Sequence, residues 1–124
     1  MPVLPAPFAP THDIPGARFT TLASPSRGSA ETSVWRLELL PGAEPVPHTV
    51  TREEIFVALD GEAVATLDGV DQTVLSGDTL VLPVGVEFRL VATGAVPFRA
   101  LVCLPVGGQA ATIGGEPFTP PWAE

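Results

Sequence analysis

Proline and glycine recur so often along this chain that few stretches remain in which a long helix can form. Of the 124 residues, 15 are proline and 12 are glycine, and they interrupt nearly every ten-residue window. Proline removes a helical hydrogen-bond donor, and glycine is entropically costly inside a helix. Short apolar runs separated by turn residues at roughly 8–12-residue spacing are instead typical of β-sandwiches and β-barrels. The sequence therefore predicts an all-β fold.

Length, charge and cysteine content exclude several classes of protein. A chain of 124 residues with 45% apolar residues suits one domain with a proper core. Its formal charge of −8, with six arginines and no lysine, argues against nucleic-acid binding, which needs clustered cations. No apolar run approaches the roughly 20 residues that span a membrane, and the proline-rich start does not resemble a signal peptide. One cysteine permits no intrachain disulfide, so we expect a cytoplasmic protein.

The apolar runs predict eight or nine short strands and no helix. Residues 1–16 read as an extended arm, residues 17–104 as a barrel and residues 105–124 as a tail. Strands are expected at 17–23, 33–40, 53–59, 62–67, 72–75, 79–82, 87–92 and 98–104. The tight turns between them fit a closed double sheet of the jelly-roll type, which protects its strand edges.

Alternation along the last predicted strand assigns its two faces. Phe98, Ala100, Val102 and Leu104 fall on one apolar face, which we expect to point inward. Cys103 then lies on the opposite face, where it is either a small buried hydrophobe or a soft metal ligand.

The arm and the tail each carry one residue of interest. His12 is either a solvent-facing loop histidine or a group folded over the mouth of the barrel. Trp122 docks either on the body of the barrel or on a partner subunit. Because barrels of the jelly-roll type commonly pair, and because the arm and Trp122 offer the means, we expect a homodimer.

The segment from Gly42 to Gly61 contains the clearest functional signal. Five residues separate Gly42 from His48, and Val50 follows two positions later. Glu54 comes after three more residues, and Gly61 after a further six. This spacing resembles the first motif of the cupin superfamily, in which a second histidine stands at the position of Val50.

A second segment, 15 residues further on, resembles the second cupin motif. Gly77, Pro83 and Gly85 match that motif in type and spacing. Phe88 stands where the motif has a histidine, and Ala92 stands where it has an asparagine. The resemblance covers about residues 33–104, and it implies a jelly-roll barrel of the cupin type.

In cupins the two histidines, the glutamate and the later histidine hold one divalent metal inside the barrel. Carried over residue by residue, this resemblance leaves His48 and Glu54 as donors, while Val50 and Phe88 offer none. A divalent ion usually takes at least three protein ligands. We therefore expect a degenerate metal site and no tightly bound cofactor. If Fe, Mn, Ni or Zn does bind, His48 and Glu54 are the expected ligands.

Without a metal, His48 and Glu54 have two possible roles. They form either a charged pair in which each stabilises the other, or an acid–base pair in which a buried carboxyl has a raised pKa. Their expected neighbours in the lumen are Phe56, Phe88 and Leu90. A mostly apolar pocket with two polar groups is typical of a small-molecule site.

Three functions remain open from the sequence. The first is binding of a small, partly apolar molecule at His48, Glu54, Phe56, Phe88 and Leu90. The second is a small cupin enzyme, of isomerase, lyase or dioxygenase type, that uses His48 and Glu54 with or without a weakly held metal. The third is a purely structural module whose lumen is filled by its own side chains.

Overall fold

Two antiparallel sheets form the whole of this fold, as seen in a computed structural model that describes residues 3–124. Met1 and Pro2, the first residues of the expected arm, lie outside the described residues. The strands are β1 (His12–Ile14), β2 (Ala17–Ala23), β3 (Thr32–Leu39), β4 (His48–Val50), β5 (Glu54–Asp60), β6 (Ala63–Leu67), β7 (Val70–Val74), β8 (Thr79–Leu82), β9 (Phe88–Ala92), β10 (Phe98–Pro105) and β11 (Ala110–Thr112). Two 3₁₀ turns cover Pro25–Arg27 and Pro121–Ala123.

The strand order makes a jelly-roll barrel. The larger sheet has the order β1-β2-β3-β10-β5-β8, and the smaller has the order β11-β4-β9-β6-β7. Strands that follow each other in sequence thus often lie in different sheets, as β4 and β5 do. The predicted all-β fold is confirmed. No helix within residues 3–124 is long and apolar enough to cross a bilayer.

The inward faces follow from the alternation of side chains. Along β10, Phe98, Ala100, Val102 and Leu104 are buried, while the residues between them are half-buried. Trp35 and Leu37 of β3 face the same core. The inward face predicted for β10 is therefore correct, and Cys103 lies on the outer side of the sheet.

Eight strands lie close to their predicted positions, and three were not predicted. β2 and β8 coincide with the expected ranges, and the others differ by one or two residues at their ends. The three additions, β1, β4 and β11, have three residues each. β4 lies between the strands expected at 33–40 and 53–59, where no strand was predicted. Such short strands show too few alternations to be seen in sequence, and β4 pairs with β11 only after the chain has folded.

The turn after β5 is closely packed at Gly61. Its φ is +75°, and a Cβ there would overlap the carbonyl oxygen of Pro97. Gly69 has a similar φ of +81° but open space around it. We expect Gly69→Ala to lower the free energy of unfolding by about 1–2 kcal/mol from the backbone conformation alone. Gly61→Ala adds overpacking of about 1–3 kcal/mol. Urea denaturation measures both, and equal losses would contradict this packing.

Candidate functional site

β4 and β5 bring His48 and Glu54 to one cavity from opposite sheets. His48 and Val50 share a face of β4 because they are two residues apart. Three exposed residues then turn the chain, and β5 begins with Glu54, which pairs with Leu82 of β8. On the other sheet, His48 pairs with Phe88 of β9. The two polar side chains therefore reach the interior of the barrel from different sheets.

A cavity of about 290 Å³ lies between the two sheets. All five residues proposed for the site line it: His48, Glu54, Phe56, Phe88 and Leu90. The rest of its wall is mostly apolar, and Val50 also contributes. The lumen is thus an open cavity. A purely structural module would instead have its lumen filled by side chains such as Phe56 and Phe88.

Glu54 is a buried carboxyl that has no hydrogen-bond partner among residues 3–124. Its residue surface is 5% exposed, and burial raises its pKa to about 8. Desolvation is the one cause of the shift, because within residues 3–124 no hydrogen bond or nearby charge offsets it. At neutral pH the side chain is therefore mostly a protonated carboxylic acid, which can donate a hydrogen bond into the cavity.

The imidazole of His48 is held by the backbone. Its Nδ1 lies 3.1 Å from the carbonyl oxygen of Val46. Because that oxygen has no proton to give, Nδ1 must carry the hydrogen and donate it. In the neutral ring Nε2 is then left as an acceptor. The ring also stands edge-on to Phe88, with centroids 5.3 Å apart and planes at 87°.

The surroundings of His48 and Glu54 distinguish between the two roles, charged pair or acid–base pair, that the sequence left open for them. His48 donates to Val46 and not to Glu54, and no charge on His48 contributes to the pKa of Glu54. The mutually stabilised charged pair is therefore not seen. The site instead offers a protonated carboxyl at Glu54 and, when the ring of His48 is neutral, an acceptor at Nε2, an arrangement that suits acid–base chemistry or ligand hydrogen bonding.

The two other residues that the sequence singled out lie away from the cavity wall. Cys103 is half-buried on the outer side of β10, where burial raises its pKa. His12 lies on β1, and its Nδ1 is 2.9 Å from the hydroxyl of Thr11. Its ring meets Trp122 edge-on at a centroid distance of 6.3 Å.

The C-terminal tail supplies part of the cavity wall that sequence reasoning did not place there. Trp122 stacks on Phe19, with ring centroids 3.5 Å apart and planes at 6°. Its carbonyl accepts a hydrogen bond of 2.8 Å from Thr21. Phe118 also lines the cavity. The one available signal was the presence of two aromatic residues in a segment otherwise rich in glycine and proline.

Comparison with known proteins identifies the family. The family model described as a cupin domain matches residues 35–104, which is more than half of the chain. The chain belongs to the cupin superfamily. No curated protein matches the chain.

Solved cupin structures share the barrel at low sequence identity. The polyketide cyclase RemF from Streptomyces resistomycificus is 22% identical with a TM-score of 0.67, over 73% of this chain and 65% of that one. An RmlC-like cupin from Shewanella frigidimarina is 18% identical with a TM-score of 0.66, over 78% and 82%. A sugar phosphate isomerase of the cupin superfamily from Silicibacter pomeroyi is 21% identical with a TM-score of 0.65, over 78% and 65%. This cupin thus spans about two thirds of the length of RemF and of the isomerase. At these identities the likeness concerns the fold alone.

The residues at the cavity do not match the donor set that a divalent ion usually takes. Val50 and Phe88 stand at the positions of cupin metal ligands, both line the cavity, and both are hydrocarbon. Within residues 3–124, no group of three or more His, Cys, Asp or Glu side chains is arranged to hold a metal ion. His48 and Glu54 alone provide two donors, one fewer than the usual minimum.

Proposed function

We propose that this cupin binds a small, partly apolar molecule in its barrel cavity without a resident metal. The observation that carries the proposal is an apolar cavity into which one buried acid and one backbone-held imidazole both open. Such a wall, with few polar groups that fix orientation, is the usual make-up of a small-molecule site. A volume of about 290 Å³ leaves room for a ligand.

The side chains of Glu54 and His48 determine which kind of molecule the cavity favours. Glu54 donates a hydrogen bond when protonated, and Nε2 of neutral His48 accepts one. A ligand that is apolar over most of its surface and has one hydroxyl group offers an acceptor to Glu54 and a donor to His48. Leaving such buried groups unpaired costs about 1–3 kcal/mol each, so a ligand that pairs with them gains affinity.

A substitution that enlarges a side chain inside the cavity tests the proposal. Leu90 lines the lumen, whereas Leu101 is half-buried on β10 among the residues that face outward. We expect Leu90→Phe to weaken binding by about fivefold or more, the effect of about 1 kcal/mol of overpacking. Leu101→Phe is the same substitution on the outer side and should leave binding unchanged.

The measurement is equilibrium dialysis against uncharged molecules of different shape: 1-octanol, menthol and 2-naphthol. The proposal predicts that at least one of them binds, and that its affinity falls in Leu90→Phe but not in Leu101→Phe. If none of the three binds, or if Leu90→Phe changes nothing, the cavity is not a site for such molecules.

A second candidate is an enzyme that moves a proton between His48 and Glu54. What favours it is the pKa of about 8 at Glu54, which lines the same cavity as a histidine whose Nδ1 is held by the carbonyl of Val46. This describes an isomerase or lyase better than a dioxygenase, because the latter chemistry needs a redox partner that these two side chains do not provide. Turnover of a bound molecule, lost in both His48→Ala and Glu54→Gln, distinguishes this candidate from binding alone.

The homodimer and the cytoplasmic location stay predictions. Trp122, one of the two expected means of pairing, is engaged with Phe19 of its own chain. Gel filtration with light scattering tests the dimer directly.

A further inference from the structure

We infer that the cavity takes a planar, uncharged molecule of about two fused rings that has one hydroxyl group. This inference rests on the proposed function and names the class of molecule bound at that same site. Four features of the cavity lead to it: its volume, its aromatic wall, its lack of arginine and its pair of polar groups.

The volume of the cavity indicates the size of the ligand. An apolar cavity of about 150 Å³ accommodates benzene. The cavity here, at about 290 Å³, is about twice as large. Two fused six-membered rings therefore fit it, whereas a single ring leaves much of the wall without contacts.

The aromatic wall of the cavity indicates that the ligand is planar. Six of the eight Phe and Trp side chains of the chain line this one cavity: Phe19, Trp35, Phe56, Phe88, Phe118 and Trp122. Phe56 and Phe88 lie 5.4 Å apart between centroids, a distance typical of paired rings. Flat walls of this kind offer stacking and edge contacts to a planar molecule, which a bulky aliphatic molecule cannot match.

The charged residues around the cavity indicate that the ligand is uncharged. None of the six arginines lines the cavity within residues 3–124, and the protein has a net charge of −8, so an anion finds no counter-ion there. Two carboxyls line the cavity, the buried Glu54 and the exposed Glu44. A cation in the interior would have to ionise Glu54 in an apolar environment, which is unfavourable. Besides Glu44 and Thr112, the cavity is lined by Glu54 and His48, which offer a donor and an acceptor rather than a fixed charge.

A matched series of two-ring probes tests each feature separately. Naphthalene lacks the polar group, 2-naphthoate is an anion, N-methylquinolinium is a cation, and decahydro-2-naphthol keeps the hydroxyl but is not planar. We expect 2-naphthol to bind most tightly in equilibrium dialysis near neutral pH. Naphthalene should bind about three- to tenfold more weakly, the worth of one net hydrogen bond. In Glu54→Leu the advantage of 2-naphthol over naphthalene should shrink, because only the acceptor of His48 remains to pair with the hydroxyl.

The outcomes separate this inference from the proposed function. If decahydro-2-naphthol or one of the charged probes binds more tightly than 2-naphthol, the class is wrong. The same holds if Glu54→Leu leaves the preference for 2-naphthol intact. In both cases sensitivity to Leu90→Phe, but not to Leu101→Phe, still supports binding in the lumen. If no uncharged probe binds at all, the proposed function itself fails.

Discussion

Between roughly pH 5 and pH 9, the free energy of unfolding of wild-type protein should fall relative to that of Glu54→Gln. The pKa of Glu54 is about 8 in the folded state, against an ordinary value of 4.5. The folded state therefore holds this proton more tightly than the unfolded chain does. Its stabilising effect is fully present below pH 4.5 and is lost as pH rises through 8.

The expected size of the effect is large. One pKa unit corresponds to about 1.4 kcal/mol, so the loss for wild-type protein is on the order of 3–5 kcal/mol at most. Glutamine resembles the protonated carboxyl in shape and does not titrate. The variant therefore lacks this loss and should be the more stable protein at alkaline pH.

Urea denaturation over a pH series measures the effect as the difference between the two proteins, which removes the contribution of the other ionisable groups. Glu53→Gln is the matched control, because Glu53 is the adjacent residue, has the same side chain and is exposed. Its stability should follow that of wild-type protein. An identical pH dependence in Glu54→Gln and wild-type protein would show that Glu54 is not buried in its neutral form.

Replacing the two hydrocarbon side chains at the ligand positions should create a metal site. Val50→His combined with Phe88→His adds two imidazoles to the cavity that His48 and Glu54 already line. We expect Zn²⁺ binding with a Kd of about 1 μM or tighter, which is modest for a site with four protein ligands. Wild-type protein, with two donors, should bind far more weakly. Isothermal titration calorimetry of untagged protein measures both.

The substitution at Phe88 has a cost, because this ring is 1% exposed. Removing a buried aromatic side chain typically destabilises a protein by about 3–5 kcal/mol. Should the double variant not fold, Val50→His alone supplies a third donor and keeps Phe88. Thr49→His is the control, since Thr49 neighbours His48 on β4 and does not line the cavity. A folded double variant with no more affinity for Zn²⁺ than Thr49→His would mean that the four positions do not converge.

Strand faces were predictable because the signal is local. Alternation along residues 98–104 is enough to place Phe98 and Val102 inside and Cys103 outside, and the structure agrees. Every second side chain of a strand points to the same face, so a few residues reveal the orientation of the whole strand.

The candidate site was predictable in its membership but not in its electrostatics. The resemblance of the segment from Gly42 to Gly61 to the first cupin motif implied that His48 and Glu54 lie in the lumen, and both line the cavity. It could not show that Nδ1 of His48 is occupied by the carbonyl of Val46. Nor could it show that Glu54 has no hydrogen-bond partner in the described part of the chain, because the pKa of a carboxyl depends on everything that the barrel packs around it.

The sequence by itself determined a strand-rich chain, the inward face of its longer strands and the two polar side chains of the lumen. These are properties of residues close together in the chain. Only the tertiary structure decided how the cavity closes. β11 pairs with β4, and the hydroxyl of Thr21 binds the carbonyl of Trp122 across 101 positions of sequence. Contacts between such distant segments leave no periodic pattern in either one, because each segment becomes ordered only against a surface that the rest of the barrel provides.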